Sequence, residues 1–367
     1  MQGRVKPNYS VSAFFVFLLI HASQCGVGML SFQSLIVRKT GQDAWIPIVC
    51  AGISLHAIMW MIYKMLGEPA RDVIDLHRAL LGKRIGNLLS LGLVGYFFML
   101  ALTVISNYIQ VVEAWVFHDI QTWILAMTFV LVFYYVVSGG FRSLTGFSFF
   151  AALVSLVFVL SLGYVIRYGH IGNLLPMLDL SVPALGESFK TSTISFSGFE
   201  ALLVYFPFIQ MPRKSLKWAH AALLYTTLLY TGLMVISLMY FSQGQLAHMV
   251  WPTLTMTKII TFSFIERFEY IFIFIWFIVI IPTFCIPLWC CTRIVKRVAD
   301  LNPRYPLAIL LSLLFFISIA LADQRHIVQL NRFVSQIGFY FIYGYIPLLF
   351  VIYVLHSKVM KPAVANE

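Results

Sequence analysis

The chain contains 367 residues, of which 60% are hydrophobic and only 11% are charged. A soluble domain carries about 25% charged residues, so these values exclude a large soluble protein and indicate one that crosses a membrane several times. The net charge of +11 does not indicate a nucleic-acid-binding protein. Its Lys and Arg residues lie in short loops between apolar segments, where such residues orient helices and contact anionic lipid headgroups.

Ten apolar segments are long enough to span a hydrocarbon core, which takes about 20 residues of α-helix. They lie at residues 10–36, 43–66, 86–112, 119–138, 144–168, 190–211, 217–242, 268–292, 305–322 and 335–356. The stretch between the seventh and eighth segments, 248–266, is amphipathic and predicts a short loop helix.

Basic residues are concentrated in the loops on the side of the N-terminus, after the second and eighth segments and before the seventh. The loops on the other side contain fewer of them. Because loops rich in Lys and Arg stay in the cytoplasm, we expect both ends of the chain there.

Residues 10–168 and 190–356 each supply five segments, so the second group must enter the membrane from the side opposite to the first. Such equal halves are typical of inverted repeats in secondary transporters. The sequence therefore predicts an all-α polytopic membrane protein of ten transmembrane helices, in which residues 1–367 form one transmembrane domain with a 5+5 inverted repeat.

The first segment is interrupted near its middle by Gly26, Val27 and Gly28, with Ser23 and Ser31 on either side. An unwound helix at membrane depth must line a cavity or be buried in protein, because lipid offers no hydrogen bonds. Backbone amides freed by such a break can bind a carboxylate. Close helix packing through small residues is the alternative explanation, although Gly-x-Gly lacks the spacing of a packing face.

The sixth segment has a matching interruption formed by Ser195, Ser197, Gly198, Phe199 and Glu200. Paired interruptions in equivalent segments of two repeats predict a small-molecule site near the bilayer midplane. Glu200 is an ionisable group deep in an apolar run and is therefore a functional candidate. Ammonium recognition, proton transfer and structural pairing of helices all remain open as its role.

Four further residues are candidates for the walls of this site. Thr283 lies between two prolines in the eighth segment, and its hydroxyl either faces the cavity or bonds back to its own helix. Tyr96, Leu100 and Ala101 share one face of the third segment, where they either shape a side-chain pocket or pack in the core.

No arrangement of residues indicates an enzyme. The sequence contains no Ser/His/Asp, HExxH or phosphate-binding loop pattern outside the segments, and its five cysteines show no metal-ligand spacing. His21 and His56 lie in apolar runs without a carboxylate or second histidine at helical spacing, which favours core histidines. We therefore expect no catalytic residues, no metal and no cofactor.

Gly26, Val27 and Gly28, followed by Met29 and Leu30, resemble the Gly-x-Gly-hydrophobic signature in the first span of the amino acid–polyamine–organocation superfamily. The run from Ser197 to Glu200 resembles the Gly-aromatic-acidic signature in that superfamily's sixth span. Ten spans and the sequence Asn173-Leu174-Leu175-Pro176 after the fifth make the chain similar, over its whole length, to the B subunits of bacterial spore germinant receptors.

This resemblance implies a LeuT-like fold with broken helices 1 and 6 in the inner membrane of a spore. It also implies binding of a nutrient, commonly an amino acid, and assembly with an A-type membrane subunit and a C-type lipoprotein. Carried over by position, Gly26, Val27 and Gly28 face the carboxylate of the ligand, and Ser195, Ser197 and Gly198 lie toward its amino group.

Two functions remain open from the sequence. The first is a receptor whose ligand shifts the helix bundle between two states that partner subunits detect. The second is an autonomous proton- or sodium-coupled amino-acid transporter. A sodium site beside the first break needs paired hydroxyls on the eighth segment, which offers only Thr283 there, and residues 144–168 contain no lysine of the kind that some proton-driven relatives use. These missing coupling groups favour the receptor.

Overall fold

The computed structural model of the protein describes residues 6–67, 70–179, 181–260 and 267–360. Within these ranges the chain is mostly helical and has no β-strand. Its α-helices, numbered in chain order, are α1 (Phe15–Gln24), α2 (Phe32–Thr40), α3 (Trp45–Leu66), α4 (Val73–Trp115), α5 (Thr122–Ser138), α6 (Phe141–Ile166), α7 (Val182–Ser195), α8 (Leu202–Tyr205), α9 (Pro212–Tyr240), α10 (Gln243–His248), α11 (Pro252–Thr257), α12 (Phe268–Ala299), α13 (Arg304–Ala320), α14 (Gln324–Tyr340) and α15 (Ile346–Met360).

Within the described ranges, six helical stretches are long and apolar enough to cross a membrane, and four shorter apolar helices accompany them. The six are Phe32–Leu66, Val73–Trp115, Phe141–Ile166, Pro212–Tyr240, Phe268–Ala299 and Gln324–Lys358. The shorter ones are Phe15–Gln24, Thr122–Ser138, Phe199–Phe208 and Arg304–Ala320. Together they cover the ten predicted segments. The first segment is divided between α1 and α2, and the sixth between α7 and the turns that follow it.

Three helices begin well before the predicted segments: α4 at residue 73 rather than 86, α7 at 182 rather than 190, and α14 at 324 rather than 335. In each case the preceding side chain accepts a hydrogen bond from an amide in the first turn; these residues are Asp72, Ser181 and Asp323. Hydropathy detects only the lipid-buried part of a helix, whereas a capping residue fixes where the helix starts. The extra length of α4 contains a bend at Gly82, where φ is +77°.

Helix α12 lies at the centre of the bundle and packs against α4, α6 and α1. Its side chains are buried along most of its length, and it contains Pro282 and Pro287. Helices α1 and α3 pack in turn against α9. Helices from the two predicted repeats therefore alternate through one core, and the division at residues 168 and 190 stays a prediction.

Backbone hydrogen bonds join the start of the first broken helix to the end of the second. Val11, just before α1, donates its amide to the carbonyl of Phe208, 2.8 Å away, and accepts the amide of Gln210 at 2.8 Å. The start of the first broken helix is thereby held to the end of the second by a short β-like bridge.

The loop after α9 contains two short helices, α10 and α11, where one amphipathic helix over 248–266 was expected. Residues 261–266 of that prediction lie outside the described residues. Helix α11 is mostly buried. Its Thr253 donates a hydrogen bond from the hydroxyl to the carbonyl of Met29 at 2.8 Å and accepts one from the side-chain amide of Gln33 at 2.6 Å. The loop is therefore packed against the second half of the first broken helix.

Candidate ligand-binding site at the two helix breaks

The first break lies at the predicted glycines. Helix α1 ends at Gln24, and Gly26 has φ of −136° and ψ of −147°, which no helix allows. A single 3₁₀ turn, Val27–Leu30, follows before α2 begins. Gly28 is the one predicted site residue that is exposed, and a Cβ added to it would meet no atom within 4 Å. The backbone at Gly28 therefore borders open space.

The second break lies at Gly198, whose φ of +112° is a conformation that residues with a side chain rarely adopt. A Cβ at this position would lie 2.5 Å from the carbonyl oxygen of Ser23. Glycine is thus needed here twice, for the backbone angle and for the close approach of the first broken helix.

The two breaks are bonded directly to each other. The side-chain amide of Gln24 donates to the carbonyl of Phe196, 2.9 Å away, and the hydroxyl of Tyr230 donates to the carbonyl of Gln24 at 2.9 Å. Gln24 is 3% exposed, and its Oε1 atom accepts no hydrogen bond from the described residues. The sequence has Gln24 as a polar neighbour of the first break, but no local pattern predicts its contact with Phe196.

Glu200 is fully buried, and protein groups already bind both of its carboxylate oxygens. The hydroxyl of Tyr96 donates to Oε1 at 2.6 Å, and the amide of Gly198 donates to Oε2 at 2.8 Å. No Lys, Arg or His among the described residues forms an ion pair with it. The carboxylate therefore connects α4 to the second break, and its predicted roles in ammonium recognition, proton transfer or structural pairing stay predictions.

Thr283 fastens the first break to α12. Its Oγ1 lies 2.9 Å from the carbonyl oxygen of Ala22, 3.0 Å from that of Cys25 and 3.2 Å from that of Val279 on its own helix. A Cβ on Gly26 would lie 2.6 Å from the methyl group of Thr283. The hydroxyl therefore bonds to the backbone of the first break and to its own helix, and its contribution to a ligand cavity stays a prediction.

The wall opposite the second break comes from α14 and the turn after it. Tyr96 stacks on Phe341, with ring centroids 4.2 Å apart and planes at 14°. A Cβ on Gly338 would lie 3.7 Å from Ser197 Oγ, which is buried without a hydrogen-bond partner among the described residues. Residues Phe341–Tyr345 form a π-helical turn, a local distortion found often at functional sites.

The remaining predicted residues differ in environment. Leu100 and Ala101 are buried on the face of α4 that also holds Tyr96, consistent with core packing. Val27 and Phe199 are buried beside the breaks, and Ser195 is partly exposed at the end of α7. Gly338 and Phe341 were missed by sequence analysis, because no local pattern shows which part of the tenth segment faces the breaks.

His21 and His56, the two histidines that the sequence predicted to lie in the core, differ in their surroundings. His21 is buried, with Nδ1 3.1 Å from Thr226 Oγ1 and Nε2 3.0 Å from Ser155 Oγ, as expected of a core histidine. The expectation for His56 was incomplete. Its ring stacks on that of His220 at 5.0 Å, with the two Nδ1 atoms 2.7 Å apart, because α3 and α9 bring together residues distant in sequence.

Among the described residues, no group of three or more His, Cys, Asp and Glu side chains is placed to hold a metal ion.

Residues 10–327 match the family described as "Spore germination protein". The chain belongs to this family. It is 38% identical to spore germination protein GerQB of Bacillus cereus over 98% of this chain and 99% of that protein. It is 22% identical to spore germination protein YndE of Bacillus subtilis (strain 168), over 94% of this chain and 96% of that one.

Among solved structures, the fold is similar to a Na+-coupled sialic acid symporter in a substrate-bound outward-open state. The TM-score is 0.62, with 10% sequence identity, over 96% of this chain and 79% of the symporter. At this identity the likeness shows the fold alone. The LeuT-like fold and the resemblance to germinant receptor B subunits are both confirmed, and the chain is a multi-pass membrane protein of the spore germination family.

Proposed function

We propose that this protein is the nutrient-sensing subunit of a spore germinant receptor and that it binds an amino acid between its two helix breaks. The observation that carries the proposal is the open space at Gly28, directly beside the unwound backbone of the first break. A Cβ added at Gly28 meets no atom within 4 Å, and Gly28 is the one exposed position among the predicted site residues.

The chemistry of the breaks suits a zwitterion. Backbone amides at the start of a helix favour a carboxylate, which places that end of the ligand at Gly26, Val27 and Gly28. The ammonium group requires acceptors, and Ser197 Oγ is buried with no partner among the described residues. Ser197 and the neighbouring Ser195 supply hydroxyl acceptors at the second break.

The receptor is favoured over an autonomous proton- or sodium-coupled amino-acid transporter. The hydroxyl of Thr283 is already within hydrogen-bond distance of three carbonyl oxygens, and the carboxylate of Glu200 is bound by Tyr96 and Gly198. Coupling groups must exchange a proton or an ion in each cycle, whereas groups engaged in this way hold helices together. Ligand binding then shifts the bundle between two states.

The proposal includes the assembly and the location of the protein. Its partners are an A-type membrane subunit and a C-type lipoprotein in the inner membrane of the spore. Both termini lie in the cytoplasm, because the loops on their side contain most of the Lys and Arg residues. Residues 10–168 and 190–356 form the two inverted repeats.

Direct binding tests the site. The purified protein in lipid nanodiscs is titrated with radiolabelled standard L-amino acids, and Gly28→Leu is expected to abolish binding because its side chain fills the open space. Gly92→Leu is the matched control, since Gly92 lies in α4, is exposed and also has no atom within 4 Å of an added Cβ. Equal binding by wild type and Gly28→Leu refutes the site.

A further inference from the structure

The last membrane-spanning stretch contains the π-helical turn Phe341–Tyr345, between α14 and α15. In this turn the amide of Ile346 donates to the carbonyl of Phe341, five residues back rather than four. Pro347 follows directly, and because it has no amide hydrogen, the carbonyl of Tyr343 lacks the usual donor four residues ahead. The turn therefore holds one residue more than an α-helical turn, and a change of its register rotates α15 relative to α14.

The first residue of the turn is connected to the second helix break. Phe341 stacks on Tyr96, with ring centroids 4.2 Å apart. The hydroxyl of Tyr96 donates to the carboxylate of Glu200, which also accepts the amide of Gly198 at the break itself. A change in the backbone of the second break therefore reaches Phe341 through two hydrogen bonds and one pair of stacked rings.

The last residue of the turn is bonded to the start of α4. The hydroxyl of Tyr345 is hydrogen-bonded to Nε2 of His77, and Nδ1 of the same ring lies 2.8 Å from Ser90 Oγ. Ser90 donates its hydroxyl hydrogen to the carbonyl of Gly86 at 2.7 Å, so its oxygen accepts from Nδ1. The neutral ring of His77 thus has its proton on Nδ1, and Tyr345 donates to Nε2. Each group in this chain of hydrogen bonds has a partner.

His77 belongs to the part of α4 before the bend at Gly82, residues 73–81, which we call the inner segment. It precedes the predicted third segment, so it lies on the side of the membrane where both termini are expected. Asp75 in the inner segment forms an ion pair with Arg297 near the end of α12. The non-helical backbone of Gly82, with φ of +77°, separates the inner segment from the rest of α4. Its contacts with other helices therefore decide its position.

We propose that the π-helical turn is a switch that converts a change at the second break into a movement of the inner segment. Phe341 at one end of the turn follows Tyr96, and Tyr345 at the other end holds His77, while the rings of Phe341 and Tyr345 are themselves stacked 4.8 Å apart. A shift in the register of the turn displaces Tyr345, and the inner segment moves with it. This inference rests on the proposed function, because the ligand is what alters the second break.

Hydrogen–deuterium exchange of the purified full-length chain in lipid nanodiscs tests the switch. Peptides that cover residues 73–81 are followed with and without a saturating mixture of the standard L-amino acids. We expect the mixture to change their exchange rate about fivefold or more in the wild type, but not in Tyr345→Phe, which keeps the ring and loses the bond to His77. Tyr108→Phe, which loses a hydrogen bond of 2.8 Å to the carbonyl of Ile273, is the control and keeps the response. An equal response in Tyr345→Phe and the wild type overturns the proposal.

A second comparison works without a ligand. Glu200→Gln disturbs the second break directly, and we expect it to change the exchange of residues 73–81 by itself. In the double variant with His77→Phe, this effect of Glu200→Gln disappears, because the inner segment is no longer bonded to the turn. Amino-acid binding by His77→Phe alone stays as in the wild type, since His77 lies away from the breaks. An effect of Glu200→Gln that is absent, or that persists in the double variant, overturns the switch. Absence of amino-acid binding in the wild type overturns only the proposed function.

Discussion

The hydroxyl of Tyr96 lies 2.6 Å from the carboxylate of Glu200 and donates a hydrogen bond to it across the centre of the bundle. Tyr96 belongs to α4, and Glu200 follows the break at Gly198, so one contact joins the third and sixth spans. The ring of Tyr96 is also stacked on Phe341 of the last span. A ligand that alters the second break therefore acts on two further helices through this pair.

Glu200→Gln changes this contact without changing its size. A glutamine side chain has one acceptor oxygen, and an NH₂ group takes the place of the second oxygen of the carboxylate. Either Tyr96 or Gly198 therefore loses its acceptor. Leaving a buried donor unpaired costs about 1–3 kcal/mol, which corresponds to a roughly ten- to hundred-fold change in equilibrium. We expect the nutrient concentration for half-maximal germination to shift by up to this factor, or the purified protein to unfold at a lower temperature.

The control for this variant is Tyr96→Phe, which removes the same hydrogen bond and keeps the stacking on Phe341. If the two groups act as a pair, the double variant costs less than the sum of the single variants. Strictly additive effects, or a wild-type response in Glu200→Gln, contradict the assigned role of the contact.

We expect substitution by alanine to lower the stability of the protein at Gly198 but not at Gly28. Gly198→Ala places a Cβ 2.5 Å from the carbonyl oxygen of Ser23 at a φ of +112°, so the breaks must separate. Backbone strain of this kind costs about 1–3 kcal/mol before the steric overlap is added. Gly28→Ala meets open space, and we expect normal folding. Membrane accumulation and thermal unfolding of the two purified variants, measured side by side, check this difference. Equal stability contradicts it.

Thr283→Val tests how the first break is held. Valine keeps the shape of threonine but removes the donor shared by the carbonyls of Ala22 and Cys25. We expect a loss of about 1–3 kcal/mol in the free energy of unfolding, with Thr283→Ser retaining more of the stability.

Amino-acid binding by the wild type is expected to be equal in sodium and in potassium salts. Sodium-dependent binding that Thr283→Val abolishes supports the transporter instead.

Uptake into vesicles separates the receptor from the transporter. The protein reconstituted alone, with a pH or sodium gradient, is expected to show no concentrative amino-acid uptake, because its coupling candidates are engaged in structural hydrogen bonds. Robust gradient-driven uptake that Glu200→Gln eliminates, while exchange of bound substrate continues, overturns the receptor in favour of a proton-coupled transporter.

The sequence by itself determined the membrane-spanning architecture and the two breaks, because each depends on local chemistry. A run of about 20 apolar residues crosses a bilayer whatever its neighbours are, and glycines with small polar residues interrupt a helix at the point where they occur. The places of Gly26, Gly28 and Gly198 were therefore predictable. Helix ends were less so, because the caps at Asp72, Ser181 and Asp323 lie outside the apolar runs.

Only the tertiary structure decided which groups meet at the breaks. Tyr96 reaches Glu200, 104 residues away, and Gln24 reaches the carbonyl of Phe196, 172 residues away. No periodicity encodes such pairs, since they follow from the packing of helices whose order in the bundle differs from their order in the chain.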